Sequence, residues 1–212
     1  MIKLLVLGTT DYTEVFIDSF EAVPGFEFTA CVENLDRDRV GQSLLGRPIL
    51  WTDNLAEMAS THEVICSLGT TKRAEWLLEL QSIGFRFARL VHPSSVVSER
   101  TVLGQGVSID AASVVAGFTN IGFGVRIGRR VSIGHHSMIG DFSTIHPGAI
   151  ISGKCRVGTR VTIGTGAVLI DGITVGDGAF IAAGAIVTRD VPPRALVAGN
   201  PAVPKRENYG PR

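Results

Sequence analysis

The chain predicts a molecule in two parts, a small α/β unit on a parallel sheet followed by a parallel β-helix of about five coils. Three observations carry this. Strand-like and helix-like segments alternate through the first ninety or so of the 212 residues. An aliphatic residue then recurs every six positions from Val97 to Val187 without an insertion. Most of the 25 glycines fall after residue 100, so the two halves follow different rules of composition.

In the first half, residues 2–7 form a buried-strand run, followed by the polar turn GTTDYTE and a helical segment over 15–22. Residues 26–32 read as a second strand and 47–50 as a short third. A short helix is expected over 53–59, with Asp53 as its N-cap. Residues 64–68 form a strand, 73–83 carry apolar residues at helical spacing, and 85–91 close the unit before His92-Pro93. The chain therefore divides into residues 1–91 and 92–212. Ligands on such sheets sit at the carboxyl ends of strands. Here those ends carry Gly8, Thr10 and Asp11, then Glu33 and Asn34, then Gly69, which makes these six the candidate substrate contacts.

In the second half, the series Val97, Leu103, Ile109 and onward to Val187 is aliphatic at all sixteen positions. A helix does not repeat at six and a simple strand repeats at two. Short strands joined by tight turns do fit that period, with glycine supplying unusual backbone angles. Four residues after each aliphatic position comes a mostly small one, such as Ser113, Ser137, Ala149, Cys155 or Ala167. Three hexapeptides make one coil, so residues eighteen apart stack, with coils separated by about 4.8 Å. Cys155 falls on an inward position and reads as core rather than nucleophile.

Composition narrows the function classes. The 20 basic and 20 acidic residues balance, which argues against nucleic acid and anionic membranes as partners. Apolar residues make up 45%, enough for a sizeable core, yet no apolar run approaches a membrane span. The start of the chain has no pattern of a secretory signal, and the three cysteines have no close pair, so a cytoplasmic protein with reduced thiols is expected.

The hexapeptide series, the preceding LVHPSSVVS and the ending VAGNPAVPKR resemble left-handed β-helix acyltransferases. With a Rossmann-like module in front, the chain is most similar to the sialic-acid O-acetyltransferase and bacillosamine-pathway sugar N-acetyltransferase group. The resemblance implies a homotrimer that uses acetyl-CoA as co-substrate, bound between adjacent helices, with a nucleotide-linked sugar on the first domain. It implies no metal. IGHHSMIGDF matches the family's base motif and puts His135 in the role of general base. Imidazole, with an ordinary pKa of about 6.5, can take a proton from an attacking amine or hydroxyl. The family's oxyanion donor, a glycine N–H one coil later, falls on Gly153, eighteen residues on.

The chain departs from the family at His136, where an orienting carboxylate is usual. Either another residue orients His135, from this chain or a neighbouring one, or the base is weaker; a less economical alternative is that His136 is itself the base. By the same resemblance Thr144, His146, Thr165, Ala183 and Asn200 are candidate cofactor contacts, and Arg194, Lys205 and Arg206 candidate phosphate contacts. The first-domain turn lacks the family's second glycine and carries Asp11 instead, which disfavours a conventional pyrophosphate cradle. Glu33 can still accept from a ribose or a base. Two rivals stand beside the acyltransferase. One is a zinc-dependent β-helix lyase of the carbonic-anhydrase type using His135, His136 and His146. The other is a non-catalytic binding scaffold.

Overall fold

A computed structural model describes residues 1–209. Its first part is a six-stranded sheet with strands β1 (Ile2–Leu7), β2 (Phe26–Glu33), β3 (Ser43–Leu44), β4 (Arg47–Trp51), β5 (His62–Cys66) and β6 (Arg86–Phe87), in the order β3-β4-β2-β1-β5-β6. All pairings are parallel except the β3–β4 hairpin. β1 is buried through Leu4–Leu7 because both its faces are covered. Helix α1 (Asp11–Phe20) lays Phe16, Ile17 and Phe20 on one face, and helix α2 (Arg73–Ser82) buries Trp76, Leu77 and Leu80.

The sequence expectation for α1 is corrected at its start: the helix begins at Asp11 rather than at 15. Thr13, buried with Phe16, Ile17 and Phe20, extends the apolar stripe one turn earlier, so the preceding turn shrinks to Gly8–Thr10. The helix expected over 53–59 is instead two 3-10 turns, Thr52–Asn54 and Ala56–Met58. Buried Leu55 pins the segment between them, and Asp53 pairs with Arg37 at 3.0 Å instead of capping a helix. The run 85–91 splits: β6 joins the α/β sheet, whereas Leu90–Val91 is the first strand of the solenoid.

The second part is a three-sided parallel solenoid in which each two-residue strand pairs with the strand eighteen residues on. Its first face runs from Leu90–Val91 through Ser108–Ile109, Arg126–Ile127, Thr144–Ile145, Thr162–Ile163 and Phe180–Ile181 to Leu196–Ala198. The second face runs from Val96–Val97 to Ile186–Val187, and the third from Val102–Leu103 to Thr174–Val175. The aliphatic residue of each strand points inward, and with Ala149, Cys155, Ala167, Ala179 and Ala185 it fills one continuous core. Cys155 is fully buried, and burial pushes its thiol above the ordinary range. Val203–Arg206 folds back antiparallel on Leu196–Ala198 and ends the first-face sheet.

The α/β part packs on the first face and on the corner joining the third face to the first. Its central tie is Arg73, whose guanidinium is 2% exposed and reaches into the solenoid backbone. It donates to the carbonyls of Gly124 (2.8 Å), Phe142 (3.0 Å) and Ser143 (3.0 Å), to Thr144 Oγ1 (2.7 Å) and to the carbonyl of Thr70 in its own domain. Burial lowers its pKa to about 10, opposed by Cys66 and reinforced by Arg126. Phe87 meets Phe123 edge-on at 4.9 Å, and Ser19 donates to Asp110 at 2.7 Å.

Candidate active site

The sequence SIGHHSMIG forms a turn between the second and third faces, after Ser132–Ile133 and before Met138–Ile139. His136 takes the left-handed position of that turn with φ of 57°, as Phe118 and Lys154 do one coil before and after. This throws the two imidazoles into different directions. The His136 ring lies flat on Phe118, with centroids 4.9 Å apart and planes 23° from parallel. Arg100 covers the Phe118 ring at 5.7 Å. His135 stands nearly perpendicular to His136, at 86°, and their Nδ1 atoms are 3.1 Å apart, so one donates a proton to the other.

With Nδ1 engaged, the other nitrogen of His135 faces the next coil. A Cβ built on Gly153 would lie 2.9 Å from His135 Nε2, so a larger residue there would push the imidazole off the backbone. Gly134, at the start of the turn, is under the same constraint: its Cβ would come within 2.5 Å of Gly153 N. The solenoid period thus stacks the His135 imidazole on Gly153, close enough that a Cβ there would strike it. The Gly153 N–H, however, does not point into open space. It donates to Asp171 Oδ1 at 2.9 Å, a carboxylate from the coil after. His135, Gly153 and Asp171 form one stack eighteen residues apart. Asp171 was not singled out from the sequence, although the period itself places it there.

The other candidate residues are distributed around the solenoid. His146, Thr165 and Ala183 lie on the corner between the first and second faces, a full face away from His135. Thr144 lies within the first face, 2% exposed, with its hydroxyl taken by Arg73. Together with Tyr12, Gly69, Arg126 and His146 it lines a cleft of about 410 Å³ between the α/β part and the solenoid. Arg126 lies over the Tyr12 ring at 4.3 Å and also donates to its hydroxyl. Burial, then the cations Arg126 and Arg73, lower the pKa of His146 and keep it neutral. Asn200 is exposed in the turn after the last first-face strand, and Arg194, Lys205 and Arg206 are exposed near it.

A second cleft, of about 230 Å³, opens at the carboxyl ends of β1 and β2 and includes Gly8, Thr10, Glu33 and Asn34. Gly8 has φ of 119°, and a Cβ there would strike Ser67 Oγ at 2.6 Å. Glu33 accepts from the Thr9 hydroxyl and from the N–H groups of Asn34 and Leu35. Burial acts to raise its pKa, but these hydrogen bonds together outweigh it and hold the carboxyl below its ordinary value. Glu33 is therefore an ionised acceptor with most of its lone pairs committed to its own loop. Asp11 lies in the first turn of α1, where its charge complements the helix N-terminus and lines neither cleft. Among the described residues, no group of three or more His, Cys, Asp or Glu side chains converges as a metal site would need. None of their helices is long and apolar enough to cross a membrane.

A stacked three-sided solenoid with an imidazole aimed at the next coil defines a class of protein, the hexapeptide-repeat transferases. The family of bacterial transferase hexapeptides, six repeats, matches residues 118–153. The acetyltransferase domain of PglB from Neisseria gonorrhoeae is 30% identical over 96% of this chain and 100% of that one, with a TM-score of 0.87. The same domain in complex with acetyl coenzyme A matches at 30% identity over 95% of this chain and 98% of that one, TM-score 0.88. A histidine variant of perosamine N-acetyltransferase from Caulobacter crescentus, in complex with CoA and GDP-perosamine, is 27% identical over 97% of each chain, TM-score 0.88. Curated protein sequences gave no significant match. The chain belongs to the left-handed β-helix acyltransferases that carry an N-terminal Rossmann-like domain, within the group of sugar N-acetyltransferases. It is an acyltransferase.

Proposed function

We propose that this protein transfers an acetyl group from acetyl-CoA to the amine of a nucleotide-linked amino sugar, with His135 as general base. The observation that carries the mechanism is the stacking of His135 over Gly153, where a Cβ would come within 2.9 Å of Nε2, with Nδ1 held at 3.1 Å by His136. A base at Nε2 needs its lone pair there, so the His135 proton sits on Nδ1 and is donated to His136 Nδ1. His136, fixed by stacking on Phe118, then carries its own proton on Nε2. A second imidazole thus does the orienting work of the carboxylate usual in the family. Nε2 accepts the proton of the amine as it attacks the thioester carbonyl, and returns it to the departing thiolate. The Gly153 N–H is the group nearest to serve the oxyanion. A PglB domain with acetyl coenzyme A and a Caulobacter enzyme with CoA and GDP-perosamine support the choice of donor and acceptor.

We read the working unit as a homotrimer. His135 lies on a corner remote from this chain's own α/β part, which covers the opposite corner and the first face. The second face, between the His135 corner and the Thr165 corner, presents an outward row that is aliphatic except at Ser132 and leaves Val96 65%, Val114 46% and Ile150 45% exposed. Association through that face would cover the row. It would also set the His135 corner of one protomer toward the Thr165 and Ala183 corner of the next. Of the clefts formed by the described residues, two suit the sugar nucleotide by their place in this reading: the strand-end cleft at Glu33, and the cleft at Arg126 and His146.

The test is His135→Ala assayed with acetyl-CoA against a panel of nucleotide-linked amino sugars, with product identified by mass spectrometry. Turnover should fall about 100- to 10,000-fold while oligomeric state and acetyl-CoA affinity stay unchanged. Turnover within a few fold of wild type would show that another group is the base.

A further inference from the structure

The contact between Gly153 and Asp171 sets the expected oxyanion donor against a carboxylate. Of the acceptors an N–H could meet, a carboxylate is the strongest, since a charge-assisted hydrogen bond is shorter and stronger than a neutral one. It is also the group that most strongly opposes an incoming carbonyl oxygen, because both are electron-rich. A thioester carbonyl cannot lie on the Gly153 N–H while Asp171 Oδ1 holds it at 2.9 Å.

The same clasp recurs elsewhere. Asp141 accepts the N–H of Phe123 and Asp177 that of Thr159, each at 2.7 Å and each across eighteen residues. Both of those lie on the corner between the third and first faces, away from His135. The solenoid therefore uses an aspartate to close an outward N–H between coils, and at one place that N–H is the one under the imidazole. A Cβ at Gly153 would lie 3.2 Å from Asp171 Oδ1 as well as 2.9 Å from His135 Nε2. The carboxylate and the imidazole thus approach the same glycine. Asp171 is itself exposed, so its side chain has room to rotate off the backbone.

We propose that Asp171 is a positioning residue of the transfer site: its carboxylate competes with the thioester carbonyl of acyl-CoA for the Gly153 N–H. This rests on the reading of Gly153 as the oxyanion donor. Its consequence is specific to the acyl group. Free CoA has no carbonyl to compete with Asp171, so the clasp reforms once the acetyl group has moved to the amine. Asp171 thereby lowers the enzyme's preference for acetyl-CoA over CoA and eases exchange of donor for product.

The test measures dissociation constants of acetyl-CoA and of CoA by calorimetry for the wild-type enzyme, Asp171→Ala, Asp171→Asn and Asp177→Ala. Asp171→Ala should bind acetyl-CoA about three- to tenfold more tightly, the range of one competing hydrogen bond, and bind CoA as before. Asp171→Asn keeps a neutral acceptor in place and should show a smaller shift in the same direction. Asp177→Ala removes an equivalent clasp elsewhere and should change neither ligand. An equal change for both ligands, or none for acetyl-CoA, would overturn the proposal and leave Asp171 as a coil clasp alone. Wild-type protein that bound neither ligand would overturn the acyl-CoA reading itself, and this proposal with it.

Discussion

The two parts of the molecule reach stability by opposite routes. In the solenoid every coil repeats the last, and each strand needs only its neighbours eighteen residues away. A buried isoleucine contributes roughly 1.5–3 kcal/mol, and the same contribution recurs at each rung. In the α/β part no contact repeats. Two core clusters lie on the two sides of one twisted sheet, and the larger extends to Phe123 and Phe142 of the solenoid. The periodic part is therefore a ruler that sets distances, and the irregular part is fitted onto it. Chemistry placed on the ruler, such as the stack of His135, Gly153 and Asp171, inherits its register.

The largest effect that would break this arrangement comes from the tie between the parts. Arg73→Ala leaves four solenoid acceptors without their buried donor and should cost about 3 kcal/mol or more. Urea unfolding followed by Trp fluorescence, with Trp51 and Trp76 both in the α/β part, should then separate from the solenoid transition followed by circular dichroism. A single coincident transition at the wild-type midpoint would show that the guanidinium is not the tie. Arg73→Lys should recover little, because one ammonium cannot span the acceptors that a planar fork reaches.

The next effect sharpens the His135 corner. His136→Ala should lower kcat about tenfold with little change in KM, since the imidazole of His135 loses its orienting partner. His136→Asn should recover most of the loss. Asparagine tolerates the left-handed backbone at φ of 57° and offers an acceptor to Nδ1–H. Nitrogen chemical shifts of His135 should report the Nδ1–H tautomer in the wild type and in the asparagine variant, but a tautomer mixture in the alanine variant. Equal mixtures in all three would refute the orienting role.

The smallest effect concerns His146. Burial and two neighbouring cations lower its pKa, so the unfolded chain binds more protons than the folded one as pH falls below about 6.5. Its contribution to stability is thus present at neutral pH and lost on acidification. His146→Gln should lose less stability than wild type between pH 7.5 and 5.5, measured from urea midpoints. Equal losses would show that His146 does not contribute.

The comparison also explains what could be read in advance. The spacing of His135 from Gly153 was legible because a period of six, taken three at a time, converts sequence distance into contact. The same arithmetic reaches Asp171, yet nothing in the residue type said that its carboxylate would turn onto the glycine N–H. In the α/β part the strands read at 2–7 and 26–32 were legible in the sequence, and the second runs one residue further, to Glu33. The start of α1 and the 3-10 turns around Leu55 did not, because burial of Thr13 and Leu55 against distant residues decided them.

By itself, the sequence determined the division into two parts, the solenoid register and the stacking of His135 on Gly153, since each follows from local composition or from a fixed repeat. Only the tertiary structure decided three further features: that His136 rests on Phe118 and turns its Nδ1 to His135, that Thr144 belongs to Arg73, and that Asp171 closes the N–H beneath the imidazole. These depend on side-chain direction between coils or between the two parts of the molecule, which a one-dimensional period does not encode.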